Sequence, residues 1–507
     1  AAAGIVVRAR DIFERKTVRA LARVAGSANP TELAELPGGG VGDIPATPIL
    51  RWFAEHIGRA DRFAQSVLVR LPGDARPADV TATVQALLDR HDALRARWHD
   101  DHLLVPPAGG IDAAEVIEVR TFGAGEEPGT DGFTALVESA LRQASDRLDP
   151  AEGRMVDVVC LLPEPGVSAQ GRALIVIHHL VVDGVSWRIL LPDLATAWQR
   201  ITAGQPADLR APGTSLRRWA HALADAAPAR EPEAPLWQRM SASDEPLLGR
   251  APLDPALDTL ATAGAISVTI PPEVTTALLH AVPESVRGTT DDALLAGLAL
   301  AVLDRRRRRG GEHRGVGILL EGHGREEQLA AGADLSRTVG WFTSTYPVAL
   351  DLTDIDPADP PAAVKAVKDQ LRAIPDKGIG YGLLRHLHAP TRDRLAAAPA
   401  PQIAFNNLGR AGVDLSALPD LAWAPTGEDY DHYGAFDPDM PLTAALTVDA
   451  HIADTASGPT LVARFGYATR LIDSEEEADL DDAWQHALRA IAARADHAWR
   501  LSRADVP

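Results

Sequence analysis

Two adjacent imidazoles, His178 and His179, close an apolar β-branched run, Ile175-Val176-Ile177, and Asp183-Gly184 follow within the next six residues. Histidine is the side chain that titrates nearest neutrality, so one at a strand end is a candidate acid-base group. Successive strand residues point to opposite faces, so one ring of the pair can face a cavity while the other supports it. The same geometry argues against a shared metal, whose ligands must converge. For His178 a hydrogen-bonded core role is the competing reading. A carboxylate, Glu321, ends another apolar run and opens the cluster Gly322-His323-Gly324-Arg325-Glu326, whose glycines let the backbone turn sharply or approach a ligand. Three more clusters are unusual for ordinary packing: Arg337 to Pro347 with Gly340-Trp341-Phe342-Thr343, Gly378-Ile379-Gly380-Tyr381-Gly382, and Phe405-Asn406-Asn407-Leu408-Gly409.

The elements that must hold these residues follow from periodicity. The run before His178 reads as a buried strand, the Asp183-Gly184 step as a loop, and Trp187-Arg188-Ile189-Leu190-Leu191 as a helix with Ser186 at its start. Val80 to Leu94 and Leu136 to Leu148 carry helical spacing, while Val156-Val158-Val159 and Leu174-Ile175-Val176 read as strands. A similar succession begins near residue 265: strand 266–270, helices 272–282 and 291–305, strand 316–320. This suggests two related lobes. Residues 5–24 read as one or two short helices with Asp11 as a capping candidate. The glycine run after Pro37 lacks the Gly-Lys-Ser/Thr of a phosphate loop and reads as linker. Arg305 to Arg309 fall at a helix C-terminus, where cations complement the macrodipole and solvate a surface turn.

Composition sets the outer limits. A chain of 507 residues exceeds one ordinary core, so two or more domains are expected. A formal charge of -20 disfavours nucleic acid and anionic membranes as partners. The single cysteine, Cys160, has no intrachain partner and reads as a small buried hydrophobe. No apolar stretch approaches the ~20 residues of a membrane span and no signal peptide opens the chain, so a soluble, cytoplasmic protein is expected. The first residue is alanine, which suggests a piece of something longer.

Taken together, the His178-His179-x-x-x-Asp183-Gly184 stretch, Pro48-Ile49-Leu50-Arg51-Trp52-Phe53, Glu321-Gly322-His323-Gly324-Arg325-Glu326 and Gly340-Trp341-Phe342-Thr343 resemble the epimerization domains of nonribosomal peptide synthetases. These belong to the condensation-domain superfamily, and the double-histidine motif alone would mark only that superfamily. The resemblance runs from about residue 45 to the C-terminus. It implies an α+β fold of two chloramphenicol-acetyltransferase-like lobes, 45–225 and 226–507, in a V-shaped arrangement with a tunnel between them. Residues 1–24 resemble the C-terminal end of a peptidyl carrier domain, with 25–44 as linker.

The implied reaction is L-to-D epimerization at the α-carbon of an aminoacyl or peptidyl thioester. The family assigns it to His179 and Glu321, and a carboxylate and an imidazole on opposing lobes can address opposite faces of one carbon. Burial between lobes should raise the glutamate pKa and lower the histidine's. Which of the two removes the L-proton stays open. His178, Asp183, Gly184, Asn406 and Asn407 are implied supporting residues: Asp183 through an arginine ion pair, Gly184 by allowing the turn, Asn406 by bonding substrate or Glu321. The family's asparagine-tyrosine pair is here Asn406-Asn407, which removes an aromatic hydroxyl expected beside the site. Neither metal nor cofactor of its own is implied. The substrate arrives on the phosphopantetheine arm of an upstream carrier domain, with a condensation domain expected downstream. A peptide-bond-forming condensation domain and a catalytically silent carrier-docking module are the alternatives.

Overall fold

The computed structural model describes residues 32–58, 62–73, 75–99, 101–241, 245–410, 422–426 and 435–495; the segment expected to be a carrier remnant, 1–24, lies outside them. Among the described residues the first lobe is built on β1 (Phe63–Arg70), β2 (Ile117–Phe122), β3 (Val156–Pro163) and β4 (Arg172–His178). A short strand from far along the chain, Ala435–Phe436, joins the edge, giving the order Ala435–Phe436, β1, β4, β3, β2. The apolar run before His178 is buried throughout because β4 is a central strand covered on both faces. Leu174 and Val176 face a small core beneath the helix α2 (Asp131–Asp146), while Ile175 and Ile177 face the main first-lobe core. That core also takes in α1 (Pro77–Arg90) and α3 (Gly184–Thr202).

Helix α1 stops at Arg90, short of the Leu94 expected from periodicity, and a 3-10 turn, Asp92–Arg95, takes over. The buried Arg95 guanidinium turns back onto the Asp89 and Pro106 carbonyls and the Asp92 carboxylate. An apolar pattern does not register that polar anchor. The expected linker is also partly structured. Gly42–Ile44 is a strand paired with His102–Val105, and Arg217 donates to the carbonyls of Pro37 and Gly39.

The second lobe carries a six-stranded sheet of β5 (Ala263–Ile270), β6 (Gly315–Gly322), β7 (Ser344–Asp351), β8 (Ile403–Arg410), β9 (Leu446–Thr455) and β10 (Gly458–Ala468). Their order is β7, β6, β8, β9, β10, β5, with β8 parallel to both neighbours. Alternation puts Leu320, Phe405, Val448, Phe465 and Val268 into a core shared with α4 (Thr290–Arg308), α5 (Pro360–Arg372) and α6 (Ser474–Ala495). Of the arginines ending α4, Arg307, Arg308 and Arg309 are exposed as expected from sequence, but the first two of the run are not. Arg305 and Arg306 are buried, the first on the Glu476 carbonyl and the second on the Glu245 carboxylate.

The lobes are stitched together by the chain between β6 and β7. It leaves and re-enters the second sheet, yet Leu335, Val339, Trp341 and Phe342 are buried in the first lobe's core. Two of its arginines pair with carboxylates of the first lobe, Arg325 with Asp183 and Arg337 with Asp193.

Candidate active site

Between the lobes lies a cleft of about 3730 Å3 lined by His179 and Glu321 together. His178 is fully buried and ends β4 on the α2 side, where its Nδ1 accepts from the Leu180 backbone N–H. His179 begins the next turn and emerges on the cleft side. Its ring stacks on Phe63 at 4.9 Å and 14° and lies 4.7 Å from Trp341. Its Nε2 is 3.0 Å from the Gln65 amide nitrogen, and Gln65 Oε1 in turn accepts from the Trp187 indole N–H at 2.9 Å. Burial in this aromatic setting pushes the His179 pKa down, partly offset by neighbouring backbone and the Asp183 charge.

Asp183 holds the loop that follows. It is the N-cap of α3, the place sequence reasoning gave to Ser186, and accepts from Ser186 N at 2.8 Å. Its carboxylate pairs with Arg325 at 2.5 Å and accepts from Phe342 N, while the guanidinium lies 4.0 Å over the Phe342 ring. The arginine expected to hold Asp183 is thus the one in the Glu321 cluster. Gly184 departs from expectation. It is the first residue of α3, has no positive φ, and a Cβ there would meet nothing. The turn does not need glycine; what the residue leaves is room on the cleft wall.

On the opposite wall, alternation turns one residue of each strand away from the helices. Asn406, Asp449, Arg464 and Ser267 are successive register partners, and Glu321 is partnered by Thr345. All six line the cleft as a polar row across the sheet. Glu321 ends β6 with its side chain open to this cleft, where the surrounding walls take away much of its solvent. Burial and the negative Asp449 raise its pKa to about 7. Among the described residues no hydrogen bond or ion pair engages its carboxylate. Both pKa displacements run in the direction expected from sequence.

Asn407 also lines the cleft, but its amide donates to Asp291 in the first turn of α4 at 2.5 Å, and its Oδ1 accepts from Gly409 N. The residue expected beside the site is therefore engaged at the helix, away from Glu321, because alternation gives it the face opposite to Asn406. Gly324, by contrast, has a strict local reason. Its φ is +64°, and a Cβ would lie 1.7 Å from the Phe342 carbonyl oxygen. Among the described residues no group of three or more His, Cys, Asp or Glu is placed to hold a metal ion. Sequence reasoning missed Gln65, Asp449 and the role of Trp187. Gln65 leaves a trace, a polar residue between Phe63 and Val67 on the core-facing side of β1.

Comparison with known proteins agrees with this architecture. A family model described as the condensation domain matches residues 41–499. One of the linear gramicidin synthase polypeptides of Brevibacillus parabrevis is 38% identical over 428 residues, covering 82% of this chain and 5% of that protein. Chondramide synthase cmdD of Chondromyces crocatus is 36% identical over 442 residues, covering 83% and 10%. The chain therefore spans a tenth or less of the length of these two relatives. The crystal structure of the epimerization domain from the third module of tyrocidine synthetase B superposes with a TM-score of 0.74 at 27% identity, covering 91% of this chain and 99% of that one.

Proposed function

The chain belongs to the condensation-domain family, and from that premise we propose that it inverts the α-carbon of an aminoacyl or peptidyl thioester from L to D. The observation that carries the reading is the pair itself. His179 and Glu321 come from different lobes, line one cleft, and are displaced toward each other in pKa. Similarity to the tyrocidine synthetase epimerization domain supports it.

The α-hydrogen of a thioester is only weakly acidic, but sulfur conjugates poorly with the carbonyl, so the enolate is more accessible than an amide's. Inversion requires a base on one face and an acid on the other. Each positioned acid-base group typically contributes ~10²–10⁴-fold, and a tethered substrate adds effective concentration. In this reading one member of the pair takes the proton, the enolate forms, and the other returns a proton to the opposite face. The ring that stacks on Phe63 and tilts against Trp341 is oriented for that work, and the Asp183–Arg325 pair fixes the loop that bears it. No cofactor of the domain's own is required.

The substrate is delivered on the phosphopantetheine arm of a carrier domain, whose end is residues 1–24, joined by the linker 25–44 to lobes 45–225 and 226–507. A downstream condensation domain receives the D-configured product, in the cytoplasm. Incubating the chain with a carrier loaded with an L-aminoacyl group in D2O tests the reading through α-deuterium incorporation. Condensation remains the second reading, because the family match is to that description. Peptide formation with a second loaded carrier, without α-exchange, would establish it instead.

A further inference from the structure

Strand β1 places Gln65 between Phe63 and Val67 on the side that packs toward the main core of the first lobe. An amide there is costly to desolvate unless both of its ends are bonded. Both are: Oε1 accepts from Trp187 Nε1 at 2.9 Å, and the amide nitrogen lies 3.0 Å from His179 Nε2. An indole N–H can only donate, so the carbonyl end of Gln65 must face Trp187. Reversing the amide would set NH2 against N–H at that end. The NH2 is therefore committed to His179, whose Nε2 must be the acceptor.

We infer that Gln65, aimed by Trp187, is a positioning residue that fixes the proton of neutral His179 on Nδ1 and keeps Nε2 the unprotonated, accepting nitrogen. The catalytic consequence rests on the epimerase reading above; the tautomer does not. When Nε2 takes the α-proton, the Gln65 N–H gives up its hydrogen bond to that lone pair, the C–H bond breaks, its electron pair becomes the enolate's, and an N–H bond forms. That new N–H then opposes the Gln65 NH2, two donors face to face. The imidazolium is thereby kept high in energy and ready to give its proton up. Burial of the ring acts in the same direction.

The test uses the full chain with 15N-labelled histidine, the His179 signals being identified by their loss in His179→Ala. Native protein is expected to show protonated Nδ1 and unprotonated Nε2. Trp187→Phe frees the amide to turn over and is expected to give a mixture of tautomers. Gln65→Glu can accept from both partners, so Nε2 becomes protonated and the acid limb of the α-exchange profile moves up by about one pH unit or more. Gln65→Leu, which removes the amide but keeps the volume, is expected to remove the tautomer preference while the chain still melts cooperatively. A native Nε2–H tautomer overturns the inference, as do unchanged tautomer and unchanged limb in folded Gln65→Glu and Trp187→Phe. The spectra need no substrate. An Nδ1–H tautomer with no α-exchange therefore sinks the epimerase reading alone, and exchange with an Nε2–H tautomer sinks the Gln65 inference alone.

Discussion

At the scale of residues the account turns on two groups tuned from opposite directions, a half-buried imidazole lowered by desolvation among aromatic rings and a carboxyl raised to about 7 by desolvation in the cleft and by Asp449. One shared proton is needed for an acid on one face and a base on the other. The exchange rate should therefore be bell-shaped, falling below the lowered His179 pKa and falling again as Glu321 ionises above about 7. Asp449→Asn removes the negative neighbour, so the Glu321 pKa drops and the alkaline limb moves to lower pH; a limb that stays in place contradicts the tuning. Glu321→Gln and His179→Ala should each lower α-exchange at least ~10²-fold with the fold intact. His179 and Glu321 were legible as residues because each stands at the end of an apolar run, with a glycine-bearing turn following. Asp449 was not, since it meets the site only through the register of β9 beside β8, which no local pattern encodes.

Elements decide how those residues are aimed. The loop after β4 and the chain between β6 and β7 are locked by the Asp183–Arg325 pair, both partners about nine-tenths buried. Arg325→Ala strands the Asp183 carboxylate and should cost about 3–5 kcal/mol in denaturant unfolding. Removing both partners should cost less than the sum of the single changes, and full additivity would show that the pair is not coupled. Two glycines separate conformation from space. Gly324→Ala must displace the Phe342 carbonyl from a left-handed backbone and should lower both stability and exchange, whereas Gly184→Ala meets nothing and should melt close to native. Strands and helices around the site were readable from their periods. The end of α1 and the buried arginines of α4 were not, because both depend on hydrogen bonds from arginine to distant carbonyls and carboxylates.

Across the whole molecule, two sheets present one face each to a common cleft, tied together by the segment between β6 and β7 and by the strand Ala435–Phe436 at the edge of the first sheet. The two-lobed α+β plan could be read from the recurring order of helices and strands and from the family resemblance. The crossing could not, since Trp341 and Phe342 look like any apolar pair until their core is known. Stability also carries a pH signature away from the cleft. Glu477 in α6 is fully buried with both oxygens unpartnered among the described residues, and burial raises its pKa to about 7. Its folded pKa exceeds the unfolded one, so stability present at low pH declines as pH rises through 4.5 to about 7. Glu477→Gln should therefore gain stability relative to native between pH 5 and pH 8, by up to about 3 kcal/mol. A constant difference across that range contradicts the burial argument.

The central claim is that this cleft moves an α-proton, and deuterium incorporation reads it most directly. Carrier-bound L-aminoacyl thioester in D2O should acquire α-deuterium and approach a mixture of L and D forms with native protein. Exchange should fall at least ~10²-fold with Glu321→Gln. Native protein that leaves the α-hydrogen in place, or a Glu321→Gln variant that exchanges at the native rate, would contradict the account.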